Sequence, residues 1–357
     1  MKKETIWAIQ GVLAKHKMLA KATASLMYAK FALSGHFPEK TEHAIELFTE
    51  KTLSPKEMRR LKKDILFTLC YNGASVDEYF RYDFPSLSEE GRRQYVGDME
   101  RWRRLRKLVD RESVPFLKEK EEAYKLFKEF YRREQIPVTG QESFQAFQDF
   151  CSRHSHFIVK PIDSAGGHGV YKETLEGKEV SEVFASILNH GDSVIEELIQ
   201  QDSRMEAFHP GSVNTIRIVT CNRNGKVEII QSSVRMGMGD SIVDNGCLSA
   251  GVDLETGMII SRGREAHGPG RYIVHPDTGV QILGNTIPEW GELVTFAKQL
   301  PLRLPKQRII GWDLALSDRG WVMIEGNSCP DIQTLLAEGV GARAIFDEIE
   351  RECREMP

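Results

Sequence analysis

The residues best suited to chemistry lie between 308 and 327, where Asp313, Glu325 and Asn327 follow one another at spacings of twelve and two. Apolar runs flank Asp318, Arg319 and Gly320. A three-residue hairpin loop closing on a glycine with positive φ pairs Ser317 with Trp321, Ala315 with Met323, and Asp313 with Glu325. Directly opposite side chains stand roughly 4.5–5.5 Å apart at Cβ. Two carboxylates at that separation repel each other, and a divalent cation between them reverses the sign. Asn327, two residues beyond Glu325, projects from the same face. Two carboxylates and an amide oxygen make a hard-oxygen donor set. It suits a magnesium ion that carries substrate phosphates, with manganese able to replace it. The competing reading is an ordinary strand pair with acids at a sheet margin.

A second constellation lies upstream, in residues 157–170: a strand, a glycine-rich loop and another strand. Glycines let backbone N–H groups approach phosphate oxygens closely. Ser164, Gly166, Gly167, His168 and Gly169 form this loop, and Lys160 at the strand end adds a point charge. No Gly-Lys-Ser/Thr follows, which excludes a P-loop. The third glycine of a dinucleotide fingerprint is absent as well. Further on, Glu196, Glu197, Leu198 and Ile199 end a short strand whose backbone can meet an adenine edge, or are simply a buried strand finishing in exposed acids.

A second hairpin, residues 214–236, carries Arg217 and Arg235. If Arg223, Asn224 and Gly225 form a three-residue loop, the two arginines share a face. If Asn224-Gly225 is a two-residue turn, they face apart. Phosphoryl transfer concentrates negative charge that two arginines can clamp, and this favours the shared face. The alternative places one or both in structural ion pairs. Asn245 and Gly251 lie in the glycine-rich stretch that follows. Cys247 and Cys329 read as small packing residues, since neither has an evident adjacent base.

These residues are positioned by an α+β chain. Residues 1 to about 112 read as a helical region, with Ser54, Pro55 and Glu57 forming a helix start and capping box and Ser88 opening a further helix. The charged segment 92–111 reads as a solvated helix face. From about 136 onward, short β-branched runs alternate with Gly, Asn and Asp clusters. Strands are expected at 157–160, 194–197, 215–221, 227–234, 309–316 and 321–325, and short helices at 141–152, 180–189, 287–300 and 342–351.

The chain has 357 residues, 41% hydrophobic and 28% charged, with a net charge of −4. This describes about two or three globular units and gives no case for nucleic acid as the partner. No run approaches the roughly 18 apolar residues of a transmembrane helix, and the N-terminus reads as an amphipathic helix rather than a signal peptide. The six cysteines are scattered, without a Cys-x-x-Cys pair, consistent with a reducing cytoplasm. The first sixty-odd residues are net basic, through lysines such as Lys15, Lys17, Lys21 and Lys30. A peripheral contact with an anionic membrane surface or glycan machinery is one reading of that charge, solubility the other.

In this order, the pieces resemble the ATP-grasp fold over roughly residues 115–335, and within it the sugar-transfer-associated branch. The resemblance implies two α+β subdomains gripping ATP, about 136–200 and 201–340, within a domain spanning 113–357. It implies nucleotide contacts from Lys120, Lys160, the 164–169 loop and the 196–199 hinge, with Asp202 the nearest ribose-contacting acid. Asp313, Glu325 and Asn327 match the metal ligands, and Arg217, Arg235 and Asn245 the groups around the transferred phosphate. Cys329 stands where many members carry an arginine. The implied activity is an ATP- and Mg-dependent ligase that joins a small carboxylate to an amine or thiol through an acyl phosphate. Cell-surface sugars, or amino acids attached to them, are the implied substrates. A phosphotransferase of the same fold and a non-catalytic nucleotide-binding scaffold are the alternatives.

Overall fold

The computed structural model describes residues 3–49, 52–163, 168–242, 248–332 and 339–355. Two compact units emerge. One contains Met1–Leu108, Arg264–Arg271 and Asp331–Pro357, and the other Val109–Gly263 and Tyr272–Pro330.

The first unit is helical. Its longer helices are Lys3–Leu13, Lys17–Ser34, Glu39–Phe48, Pro55–Tyr71 and Arg343–Glu355. The Ser54 hydroxyl accepts from the Glu57 backbone, while the Glu57 carboxylate accepts from the Ser54 backbone, so the expected capping box forms. Ser75 and Glu78 make a second one at the helix Val76–Arg81. Ile65, Tyr79, Tyr82, Phe84 and Tyr95 pack a core here. The charged segment 92–111 is not the solvated helix face the sequence suggests. Its helix runs only from Asp98 to Leu105, and Glu100 and Leu105 are buried. The Arg101 and Arg104 side chains are 11% and 12% exposed, held by Asp331 and Asp347. Charge density alone does not reveal orientation when acids distant in sequence supply partners.

The second unit is built on two sheets. Strands β1 (Gln135–Val138), β2 (His156–Pro161), β3 (Tyr171–Thr174) and β4 (Ser193–Glu197) form an antiparallel sheet ordered β1-β4-β2-β3. Helices Phe144–Cys151 and Val180–Asn189 bury their apolar faces with it, around Phe147, Phe157, Phe184 and Ile195. The other sheet comprises β5 (Thr215–Arg223), β6 (Lys226–Met236), β7 (Leu248–Gly251), β8 (Gly263–Glu265), β9 (Arg271–Tyr272), β10 (Ile309–Ser317) and β11 (Gly320–Asn327). Its order is β11-β10-β5-β6-β7-β8-β9. Every residue of β10 is buried, as an internal strand with both faces covered requires. Trp312, Leu314, Ile216 and Ile218 meet Phe127 and Phe296 of the helices in the main core.

Both site-bearing hairpins depart from simple strand counting, and in the same way. Between β10 and β11 the loop has two residues, since Ser317 pairs with Gly320 and Leu314 with Met323. The three-residue loop expected there is not formed. A bulge then absorbs Ile324, and Asp313 still pairs with Glu325. Between β5 and β6, Arg223 pairs with Lys226 around the two-residue turn Asn224-Gly225. Both turn residues have positive φ, +56° and +92°, as this tight hairpin turn demands. A bulge at Ile230 restores the phase, so Arg217 pairs with Ser233 and Thr215 with Arg235. The two arginines therefore share a face despite the turn that would separate them. One extra residue per strand turns every later side chain to the other face.

Candidate active site

Asp313 lies midway along β10, opposite Arg217 on β5 and Glu325 on β11. Its carboxylate accepts from Arg217 Nε at Oδ1 and from Arg217 Nη2 at Oδ2, 2.8 Å. Arg235 Nη1 donates to Oδ2 as well, at 3.0 Å. All three residues are buried. Burial alone would raise the Asp313 carboxyl, but Arg217 and then Arg235 outweigh it and hold it at about 2. Glu325 behaves oppositely. Solvent reaches this residue, yet desolvation by the protein around its carboxyl, and then the Asp313 charge, push it above the ordinary carboxylate range. Asn327 Nδ2 donates to Glu325 Oε1 at 3.1 Å.

This donor set fits a hard divalent cation: two carboxylates whose mutual repulsion a cation would relieve, and an amide oxygen beside them. Among the described residues, no group of three or more His, Cys, Asp or Glu side chains comes together. A cation bound here would be held by two acids and an amide.

Lys160, at the end of β2, donates to Glu196 Oε2 at 2.8 Å. The same oxygen accepts from Arg133 Nε and Nη2 at 3.0 and 2.9 Å. Burial works to raise the Glu196 carboxyl, but Arg133 and Lys160 hold it at about 2. Arg133 also donates through Nη1 to the Met323 carbonyl at 2.6 Å, tying the first sheet to β11 beside its bulge. Lys120 opens the helix Lys120–Tyr131, and its Nζ donates to the Ile162 carbonyl at 3.0 Å. Burial, and then the Lys160 charge, pull the Lys120 ammonium below its ordinary value, while Glu325 and Glu196 counter them. The two lysines and these acids thus act on one another electrostatically.

The connector after β4 is clasped by the β10–β11 turn. The Asp318 N–H donates to the Gln200 carbonyl and the Asp202 N–H to the Leu316 carbonyl, both at 3.0 Å. Glu197 accepts from Arg319 Nη2 at 2.6 Å. Leu198 and Ile199 are half-buried here. Asp202 caps the short helix Ser203–Glu206 and pairs with Arg204 at 2.8 Å. His168 is exposed, and Gly169 has a φ of +73°. Ser164, Gly166, Gly167, Asn245 and Cys247 lie outside the described residues. Cys329 is partly exposed and forms no disulfide among the described residues.

Arg133 is the residue that sequence reading missed. Its partner Glu196 lies 63 positions away, and Arg-Arg-Glu at a helix end reads as surface charge. Asn214 is fully buried, and its amide donates to the Met205 and His209 carbonyls at 2.9 and 3.0 Å. It also accepts from the Gly237 N–H at 3.3 Å. His209 Nε2 contacts the Gly239 carbonyl at 2.9 Å, and His275 Nε2 the Gly237 carbonyl at 2.8 Å. These three side chains brace the glycine-rich exit from β6. The density of Gly and Asn there was the only available signal.

The chain matches the family described as sugar-transfer associated ATP-grasp over residues 101–351. Among solved structures, it is similar to D-alanyl-alanine synthetase A from Vibrio cholerae at 12% identity, covering 68% of this chain and 62% of that one, with a TM-score of 0.41. It is similar to the D-alanine-D-alanine ligase of Coxiella burnetii at 9% identity, with 69% and 61% covered and a TM-score of 0.43. For the Helicobacter pylori D-alanine-D-alanine ligase the identity is 14%, the coverage 70% and 64%, and the TM-score 0.44. The matched region thus spans under two thirds of each of these proteins. No curated protein matches.

Proposed function

The chain belongs to the sugar-transfer-associated ATP-grasp family, and from that premise we propose that it is an ATP- and magnesium-dependent ligase. It joins a small-molecule carboxylate to an amine, or to a thiol, and releases ADP and phosphate. The carrying observation is Asp313 held between Arg217 and Arg235, with Glu325 directly across the strand pair.

In this reading a substrate carboxylate oxygen attacks the γ-phosphorus, the bond to ADP breaks, and an acyl phosphate forms. The amine nitrogen then attacks the acyl carbon. Phosphate leaves with the electron pair of the C–O bond, and the nitrogen gives up a proton. Lys120 and Lys160 bind the α and β phosphates. Arg217 and Arg235 neutralise the transferring group, and Asp313 keeps both guanidinium groups aimed before substrate arrives. Asp313, Glu325 and Asn327 would hold a magnesium ion, which would supply charge neutralisation at the substrate phosphates. The substrates are sugar-linked carboxylates or amino acids, and the site of action is the cytoplasm. Among the described residues no helix is long and apolar enough to cross a membrane.

The test is ADP release with paired uronic acids and amino acids, with and without magnesium. Glu325→Gln and Asp313→Ala should each lower turnover by roughly 10²-fold or more. The Gln variant keeps the shape of the side chain and so separates chemistry from folding. Normal turnover in both variants sinks the assignment.

A further inference from the structure

The helix Lys17–Ser34 leaves an apolar stripe uncovered. Met18, Leu26 and Leu33 are 77%, 73% and 89% exposed, with Ala22 and Ala29 exposed between them. At 100° per residue these five positions fall within one quadrant of the helix. The 18-residue helix is about 27 Å long, and the stripe runs nearly its full length. Single exposed leucines are ordinary, but a continuous rigid stripe is a contact surface.

The helix's own charge is one-sided, with Glu89 the acid that pairs with Lys17. No Asp or Glu occurs between Glu4 and Glu39, while Lys15, Lys17, Lys21 and Lys30 do. The whole chain is net negative, so this basicity is local. Lys21 and Lys30 are exposed and pair with no acid among the described residues. On the adjoining face of the same helix, Lys17, Lys21, Ala24 and Ser25 line a cleft of about 920 Å³ within this unit. Eight lysine or arginine side chains and three acids line that cleft, Arg60, Lys63, Arg264 and Arg271 among them.

We propose that the first unit docks on an anionic bilayer surface through the helix Lys17–Ser34. The stripe of Met18, Leu26 and Leu33 enters the headgroup–acyl boundary, and the flanking lysines and the basic cleft face lipid phosphates. The helix lies in the interface rather than across it. A second copy of the chain fits this face poorly, because pairing two such helices would bring lysines against lysines.

The test is co-sedimentation of the full chain with phosphatidylcholine vesicles, with and without phosphatidylglycerol. Binding is expected only to the phosphatidylglycerol vesicles, weakening as salt rises. Leu26→Glu with Leu33→Glu should abolish it. Lys21→Glu with Lys30→Glu should weaken it by roughly tenfold or more. These side chains are exposed, so the melting temperature should stay unchanged. Equal binding to both vesicle types overturns the proposal, as do binding to neither and parental binding by the Leu26/Leu33 variant. A vesicle-independent dimer that the Leu26/Leu33 variant dissolves would overturn it in favour of a second copy. These readouts do not depend on ligase activity.

Discussion

In the proposed reaction Lys160 meets a phosphate, and its aim is set by Glu196, which is itself held by Arg133. This buried triad carries two positive charges and one negative, with Arg133 and Glu196 almost fully enclosed. Removing Arg133 leaves a buried carboxylate facing one lysine. Truncating one partner of a buried ion pair costs about 3–5 kcal/mol, and Arg133→Met should lose stability at the low end because Lys160 remains. The same change strengthens the hold of Glu196 on Lys160, so the KM for ATP should rise more than kcat falls. Adding Glu196→Leu should recover stability without recovering the KM, since nothing then aims the lysine. A denaturation double-mutant cycle, run beside steady-state kinetics, checks both halves. Additive stability effects, or an unchanged KM in Arg133→Met, would refute the triad's role.

At the scale of elements, the two bulges decide which side chains meet. Counting residues from a glycine loop brought Asp313 opposite Glu325 by assuming one loop residue too many and overlooking the bulge that compensates for it. The pairing was therefore legible in the sequence while its cause was not. Ile324 and Ile230 are β-branched apolar residues among others of the same kind, and neither carries a mark of being the extra one. The helical first region, the alternating second region and the Ser54–Glu57 capping box were legible because each is written in local spacing. The Glu196 triad and the buried arginines of 98–105 were not, because their partners come from distant segments. Inserting one alanine between Ile324 and Glu325 tests the phase directly, because removing Ile324 would only erase the bulge and leave Glu325 opposite Asp313. Glu325 and Asn327 would then turn to the face opposite Asp313. Packing tightens this requirement, since a side chain at Gly326 would stand 2.7 Å from Leu117 Cδ2 and 2.9 Å from the Trp312 ring. A folded insertion variant should show no rise in melting temperature with Mg–ADP, whereas the parent chain should rise. A parental shift in that variant would mean that Glu325 holds no cation.

For the whole molecule, the pH response contrasts Glu78 of the first unit, whose carboxyl is raised, with Asp313 and Glu196 of the second, whose carboxyls are lowered. In the second, Asp313 and Glu196 are held at about 2. Their stabilisation is complete above the unfolded carboxylate range and is lost only as pH falls through about 2. In the first, Glu78 is 6% exposed. Burial drives its carboxyl up to about 7, against hydrogen bonds from the Asp98 and Ser75 backbone and the Tyr82 hydroxyl, with the Asp331 charge adding to the rise. A raised folded value means that the folded state binds the extra proton. The stabilisation is then fully present below about 4.5 and disappears as pH rises through 7. The difference of about 2.5 units corresponds to roughly 3 kcal/mol. Between pH 5 and 8 the surroundings of Glu78 should therefore loosen while those of Glu196 do not. Hydrogen exchange, corrected for its intrinsic pH dependence, should show protection falling in 76–105 and holding in the strand Ser193–Glu197. Glu78→Gln keeps an acceptor for the capping box but cannot ionise, so its protection in 76–105 should be flat across that range. A parent chain equally flat there would show that Glu78 ionises freely in the fold.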